Sequence, residues 1–297
     1  MPHFTHQEQI MTSHRRKLSV AVLLSLLLIA ALPWSASAQS DTEDPADPDF
    51  LLSILEDGES IESVFEDTVT AELFAFYGTA GDEVSITMIQ ADDSDLDPYL
   101  VVLGSAGQLI AIDDDSGETS LSAAITDLEL PVDGIYLIIA SSFDYINAIG
   151  STEPLEEAQA FTISLTGATM PGEESTQYFS SRLELGDSHE GYSTEDEPVY
   201  YYTLVSLEEA VAIDVAVASD DFDTLVMVFG PGGGRIAVND DNEQAEGTDS
   251  AVFGLELTEP GKYLIFATDV AFPNVGDDEA ELEYTGGDFT ISVTAAE

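Results

Sequence analysis

From residue 50 onward the chain alternates short apolar and polar positions. Val84, Ile86 and Met88 are separated by single polar neighbours, and Val211, Ile213, Val215 and Val217 repeat the pattern, so each stretch predicts a strand with one buried face. Tyr136 to Ala140 and Tyr263 to Ala267 are instead continuous apolar runs, expected of strands buried on both faces or lying between sheets. Gly134 and the pair Pro260-Gly261 stand before them as turn residues. No helical period of useful length interrupts this series. Short strands separated by Gly, Pro and Asp turns predict an all-β fold, a β-sandwich of the jelly-roll kind.

The pattern occurs twice. Leu96 to Asp115 (LDPYLVVLGSAGQLIAIDDD) aligns without a gap to Phe222 to Asp241 (FDTLVMVFGPGGGRIAVNDD). Leu128 to Ala140 then matches Leu255 to Ala267, and Phe161 to Gly167 matches Phe289 to Ala295, with an offset that drifts only from 126 to 128. Similarity in the same order and nearly in register predicts two tandem jelly-roll-like β-sandwich domains, at 50–167 and 181–296. Residues 168–180 form a short polar linker containing Pro171 and Gly172, and 39–49 an acidic lead-in with Pro45 and Pro48. Because the repeat is complete in each copy, each is expected to fold alone.

The first 38 residues stand apart. Arg15, Arg16 and Lys17 precede the apolar run Leu18 to Leu32, and Ala36-Ser37-Ala38 supplies the small residues of a cleavage site, so 1–38 is expected to be a signal peptide cut after Ala38. The apolar run is short for a membrane span. Met11 would be a more typical start than Met1. General secretion is the expected route, which places the mature chain in the extracellular space or the periplasm.

Charge narrows the partners. The 297 residues carry 6 Lys and Arg against 59 Asp and Glu, a net charge of -53, and no cysteine. Cleavage would remove three of the bases and one acid, leaving Arg182, Arg235 and Lys262 against 58 carboxylates. Such a surface repels phosphate backbones and anionic headgroups, so neither nucleic acid nor membrane is an expected partner. Thiol chemistry is excluded. His189 would be the sole histidine of the mature chain, and Trp34, the only tryptophan, would leave with the presequence. Acids in this excess, with almost no lysine, suit a saline or hypersaline medium that screens their repulsion.

A family resemblance emerges from the order of motifs. An aromatic strand (Phe74, Phe76; Tyr200 to Tyr202) leads to Leu-Asp-Pro-Tyr-Leu or Phe-Asp-Thr-Leu-Val, then a Gly hairpin, an Asp-Asp turn, a Gly-x-Tyr strand and a closing Phe-Thr-Ile-Ser strand. This order resembles the bacterial pre-peptidase C-terminal domain, and both copies carry it. The resemblance implies a secreted β-sandwich of about 100 residues that usually accompanies a protease or other hydrolase. It is not itself catalytic, and in some members it binds calcium or helps engage a substrate. No catalytic domain is expected within these 297 residues, which departs from the family's usual setting.

The candidate chemistry is acidic and duplicated. Asp97 precedes the first hairpin, and Asp113, Asp114 and Asp115 follow it; Asp223 precedes the second, and Asn239, Asp240 and Asp241 follow. If the hairpin arms pair, both acidic ends return to one edge of the sheet. Clustered carboxylate and amide oxygens are ligands for a hard cation such as Ca²⁺, the expected cofactor, although acids at strand ends are also ordinary solvated turn residues. Asp93, Asp95 and Asp97 have the spacing of an EF-hand, but Pro98 stands where its Gly belongs and Gly104 where its Glu belongs. Ser188-His189 cannot form a nucleophile and base pair between adjacent residues. The sequence therefore predicts a non-enzymatic, secreted binding or accessory protein whose partner is an extracellular protein, a polysaccharide or a secreted hydrolase. The alternative is a carboxylate-dependent hydrolase with a site invisible in sequence.

Overall fold

The computed structural model describes residues 52–66, 69–92, 94–104, 107–118, 121–143, 155–170, 181–195, 198–206, 211–241, 249–272 and 284–296. The expected signal peptide, the acidic lead-in and the greater part of the expected linker lie outside them. Four sheets account for all the named elements. The first has five strands in the order β1 (Ser53–Ile54), β3 (Ala71–Gly78), β8 (Gly134–Ser142), β5 (Pro98–Leu103) and β6 (Leu109–Asp113). The second has four, β2 (Ser60–Phe65), β9 (Gln159–Thr166), β4 (Glu83–Gln90) and β7 (Ala123–Glu129). Successive strands from β2 to β5 alternate between the two sheets, and every pairing is antiparallel except that of β1 with β3. This is the eight-stranded jelly roll, with β1 added at one edge.

The remaining nine strands repeat it. One five-stranded sheet runs β10 (Ser181–Leu183), β12 (Tyr200–Ser206), β17 (Gly261–Asp269), β14 (Thr224–Phe229) and β15 (Arg235–Asn239). Its partner runs β11 (Ser188–Ser193), β18 (Gly287–Ala295), β13 (Val211–Ala218) and β16 (Ser250–Leu257). The added parallel strand also recurs, β10 pairing with β12 as β1 does with β3. The Gly-x-Tyr motif acquires a physical role. Tyr136 and Tyr263 bury their rings and donate their hydroxyls to the carbonyls of Val132 and Glu259, 2.7 and 2.6 Å away, pinning the turn before each strand to its own sandwich.

Each jelly roll closes over its own apolar core. Phe74, Phe76, Ile86, Met88, Tyr136 and Ile163 lie in the first, and Val215, Val217, Val228, Tyr263, Ile265 and Ile291 in the second. A third core lies between them. The opposite faces of the two five-stranded sheets, carrying Leu73, Val101 and Leu137 on one side and Leu225, Phe229, Leu264 and Phe266 on the other, form one buried cluster. The continuous apolar runs therefore belong to strands buried on both faces, as β5, β8 and β14 are throughout their length. Separating the jelly rolls would return both of these faces to water, a cost that the expectation of two independently folding units did not include. The seam is also tied by its backbone: the Leu73 N–H donates to the Gly233 carbonyl at 2.9 Å. Buried Arg235 donates to the Thr70 hydroxyl across the same seam.

Candidate functional site

The expected hairpins are present in the same form in both copies. Val101 pairs with Ile112 and Met227 with Val238, and the turns close on Gly107 and Gly233, both at positive φ. The acids before and after each hairpin consequently return to one edge of the five-stranded sheet. Asp97 and Asp223 occupy equivalent places, their carbonyls accepting the N–H of Phe143 at 2.8 Å and of Val270 at 2.9 Å.

The eight candidate ligands divide by what their side chains do. Asp113 accepts the N–H of Ala124 at 2.6 Å and of Ser116 at 3.2 Å, and its counterpart Asn239 accepts the N–H of Ala251 at 3.2 Å. Their oxygens fasten the hairpin to the strand that follows it, a task for which an amide serves as well as a carboxylate. That explains Asn239 without reference to a metal. Asp115 and Asp241 are exposed. Asp114 and Asp240 are half-buried, and burial pushes both carboxyls above their ordinary value, helped by the charges of Asp115 and Asp113 in one copy and of Asp241 in the other.

Asp223 is the most perturbed of the set. Its Oδ1 is buried without a hydrogen-bond partner. Burial, followed by the charges of Asp240, Asp241 and Asp269, raises its pKa to about 6. Asp269 was not singled out by sequence because it lies two residues beyond the aligned block. Buried at the end of β17, it accepts the N–H groups of Ala271, Thr285 and Gly286 at 2.8, 3.0 and 3.2 Å, so its oxygens are satisfied by the backbone. Among the described residues no three His, Cys, Asp or Glu side chains already stand in a metal-holding group.

Two further places bear on chemistry. Ser188 and His189 are consecutive on β11, so their side chains leave opposite faces of the strand, and the imidazole packs edge-on against Tyr202 with ring centroids 5.8 Å apart. A cavity of about 570 Å³ opens on the four-stranded sheet of the second copy, lined by residues including Glu190, Ala218, Asp221, Asp249, Asp288 and Thr290. None of the eight candidate ligands lines it. A signal for it was present in the repeat, which has Ile89 in the first copy at the register of Ala218 in the second.

No known family profile and no curated protein matches the sequence. Solved structures that align with the chain include the pre-peptidase C-terminal domain of a collagenase from Bacillus anthracis. It is 17% identical, with a TM-score of 0.30, over 39% of this chain and 95% of that one. Tripeptidyl peptidase 2 aligns over 82% of this chain and 24% of its own at 10% identity and a TM-score of 0.25. The CUB1-EGF-CUB2 segment of human MASP-1/3 aligns over 80% of this chain and all of its own length at 14% identity and a TM-score of 0.17. No helix among the described residues is long and apolar enough to cross a membrane.

Proposed function

We propose that the chain is a secreted, non-catalytic binding or accessory protein built of two pre-peptidase C-terminal-like domains, which takes up calcium at its acid-tipped hairpins. The observation that carries this reading is Asp223. A half-buried carboxylate with an unpartnered oxygen, among the charges of Asp240, Asp241 and Asp269, is electrostatically unfavourable by itself and is relieved by a divalent cation. Asp97, with Asp114 and Asp115, would supply the equivalent place in the first copy. Asp113 and Asn239 would act mainly as struts, holding the hairpin on which the ligands stand. The accessory role is supported by the motif order that both copies share with the pre-peptidase C-terminal domain. A calcium-fixed edge would present the adjoining loops to an extracellular protein, a polysaccharide or a companion hydrolase.

Calorimetric titration of the chain with CaCl₂ tests the metal. Two sites of the modest affinity typical of extracellular modules, on the order of 10⁻⁴ to 10⁻³ M, are expected. Calcium should raise the thermal midpoint, since it binds the native state. The double variant Asp97→Ala, Asp223→Ala should lose both the heat and the stabilisation; unchanged calcium binding in it would refute the assignment.

A further inference from the structure

The cavity on the second jelly roll allows the partner to be specified. Glu190, Thr290 and Ala218 lie side by side across β11, β18 and β13, and all three line it. In the first copy the same register carries Glu62, Thr162 and Ile89. The second copy thus has a methyl group where the first has a sec-butyl group, which leaves space at that register. Gly191 also lines it, and a Cβ there would collide with the ring of Phe289, which is buried in the core beneath the sheet, so this glycine admits that ring and does not itself widen the cavity. The acidic walls are held in position. Asp249 accepts the N–H of Ser219 at 3.1 Å, Asp221 accepts the N–H of Asp288 at 3.0 Å, and the Ser219 hydroxyl donates to the Asp288 carbonyl at 2.7 Å.

Carboxylates by themselves do not distinguish this place on so acidic a surface. The cavity does, and so does an exposed aromatic residue near it in the sheet, although that residue is not one of the lining residues. Tyr192 pairs with Asp288 and stands one pleat from Glu190 on the same face of β11, and it is 57% exposed. Ionised carboxylates only accept hydrogen bonds, so a complementary occupant brings donors and positive charge. A planar guanidinium meets carboxylates through paired N–H groups and also stacks on a tyrosine ring, whereas a lysine ammonium lacks the flat face.

We propose that this cavity receives an arginine side chain, with its flanking residues, from an extracellular polypeptide partner. The proposal deepens the binding-module reading and rests on it. The occupied site would be unique to the second copy, so one partner segment would bind per chain although the fold is duplicated.

The test keeps the charge of the protein constant. The full chain is titrated in 0.5 M NaCl with a capped Gly-Arg-Gly-Arg-Gly peptide, its lysine analogue and a neutral maltopentaose, with unfolding curves confirming that each variant is folded. One arginine peptide per chain is expected, bound more tightly than the lysine analogue. Ala218→Ile, which copies the first repeat and fills the cavity, and Tyr192→Ala, which removes the ring, should each weaken binding about tenfold or more. Undiminished binding in both variants would show attraction by the general acidic field alone and would overturn the proposal. So would absence of peptide binding, or maltopentaose binding that Ala218→Ile abolishes. Retained calcium stabilisation in those cases would leave the calcium-binding module standing while the arginine site fell.

Discussion

Asp223 shows how one side chain ties stability to the cation and to pH. In the unfolded chain an aspartate titrates near its ordinary 3.8, whereas here burial and neighbouring carboxylates hold the pKa at about 6. The native state therefore binds more protons than the unfolded one between roughly pH 4 and pH 6, so the contribution of this group to stability falls as pH rises through that window. With a chelator present, Asp223→Asn should be more stable than the parent at pH 7, and the difference should vanish near pH 4. Thermal melts across that range check it, and a parent that outlasts the variant at pH 7 without calcium would contradict the electrostatic account. The sequence showed which acids cluster, because their spacing around a hairpin is readable. It did not show that Asp113 and Asn239 are engaged by the N–H groups of Ala124 and Ala251, since those donors belong to the following strand, beyond an intervening loop.

At the scale of the element, the glycine turn of the second hairpin meets a neighbour that its sequence does not announce. Gly233 has φ +87°, and a Cβ there would lie 2.6 Å from the Leu73 carbonyl oxygen of the other jelly roll. Gly81 has a similar φ, +85°, with open space around it. Gly81→Ala should cost about 1 kcal/mol for its conformation alone. Gly233→Ala should cost clearly more, because backbone atoms across the seam must also move, and equal costs from denaturant titrations would show that the seam yields freely. The turn itself was legible in Pro-Gly-Gly-Gly. Its contact with β3 was not, since the local pattern that forms a hairpin is indifferent to what packs on its far side. The same limit applies to the strands. Continuous apolar runs in β8 and β17 announced strands buried on both faces or lying between sheets, but not whether the second face met a sheet of the same copy or of the other.

At the scale of the whole molecule, repetition and charge act in opposition. The third apolar core draws the two jelly rolls together, while a net charge of -53 pushes the surface apart. Unpaired carboxylates are costly to bury, so most of this charge faces water, where salt shortens the screening length from about 10 Å at 0.1 M to about 3 Å at 1 M. We propose adaptation to a saline medium. The thermal midpoint measured with a chelator should climb steeply between 0.1 and 2 M NaCl, and a flat or falling midpoint would refute it. Whatever the medium, the acid-tipped edges of the two copies and the cavity can be displayed in a fixed relation only if the two jelly rolls act as one body through their inner sheets. Differential scanning calorimetry of the intact chain in molar salt tests that claim most directly. The shared core predicts one cooperative transition with equal calorimetric and van't Hoff enthalpies; two resolved transitions, each carrying about half the enthalpy, would contradict it.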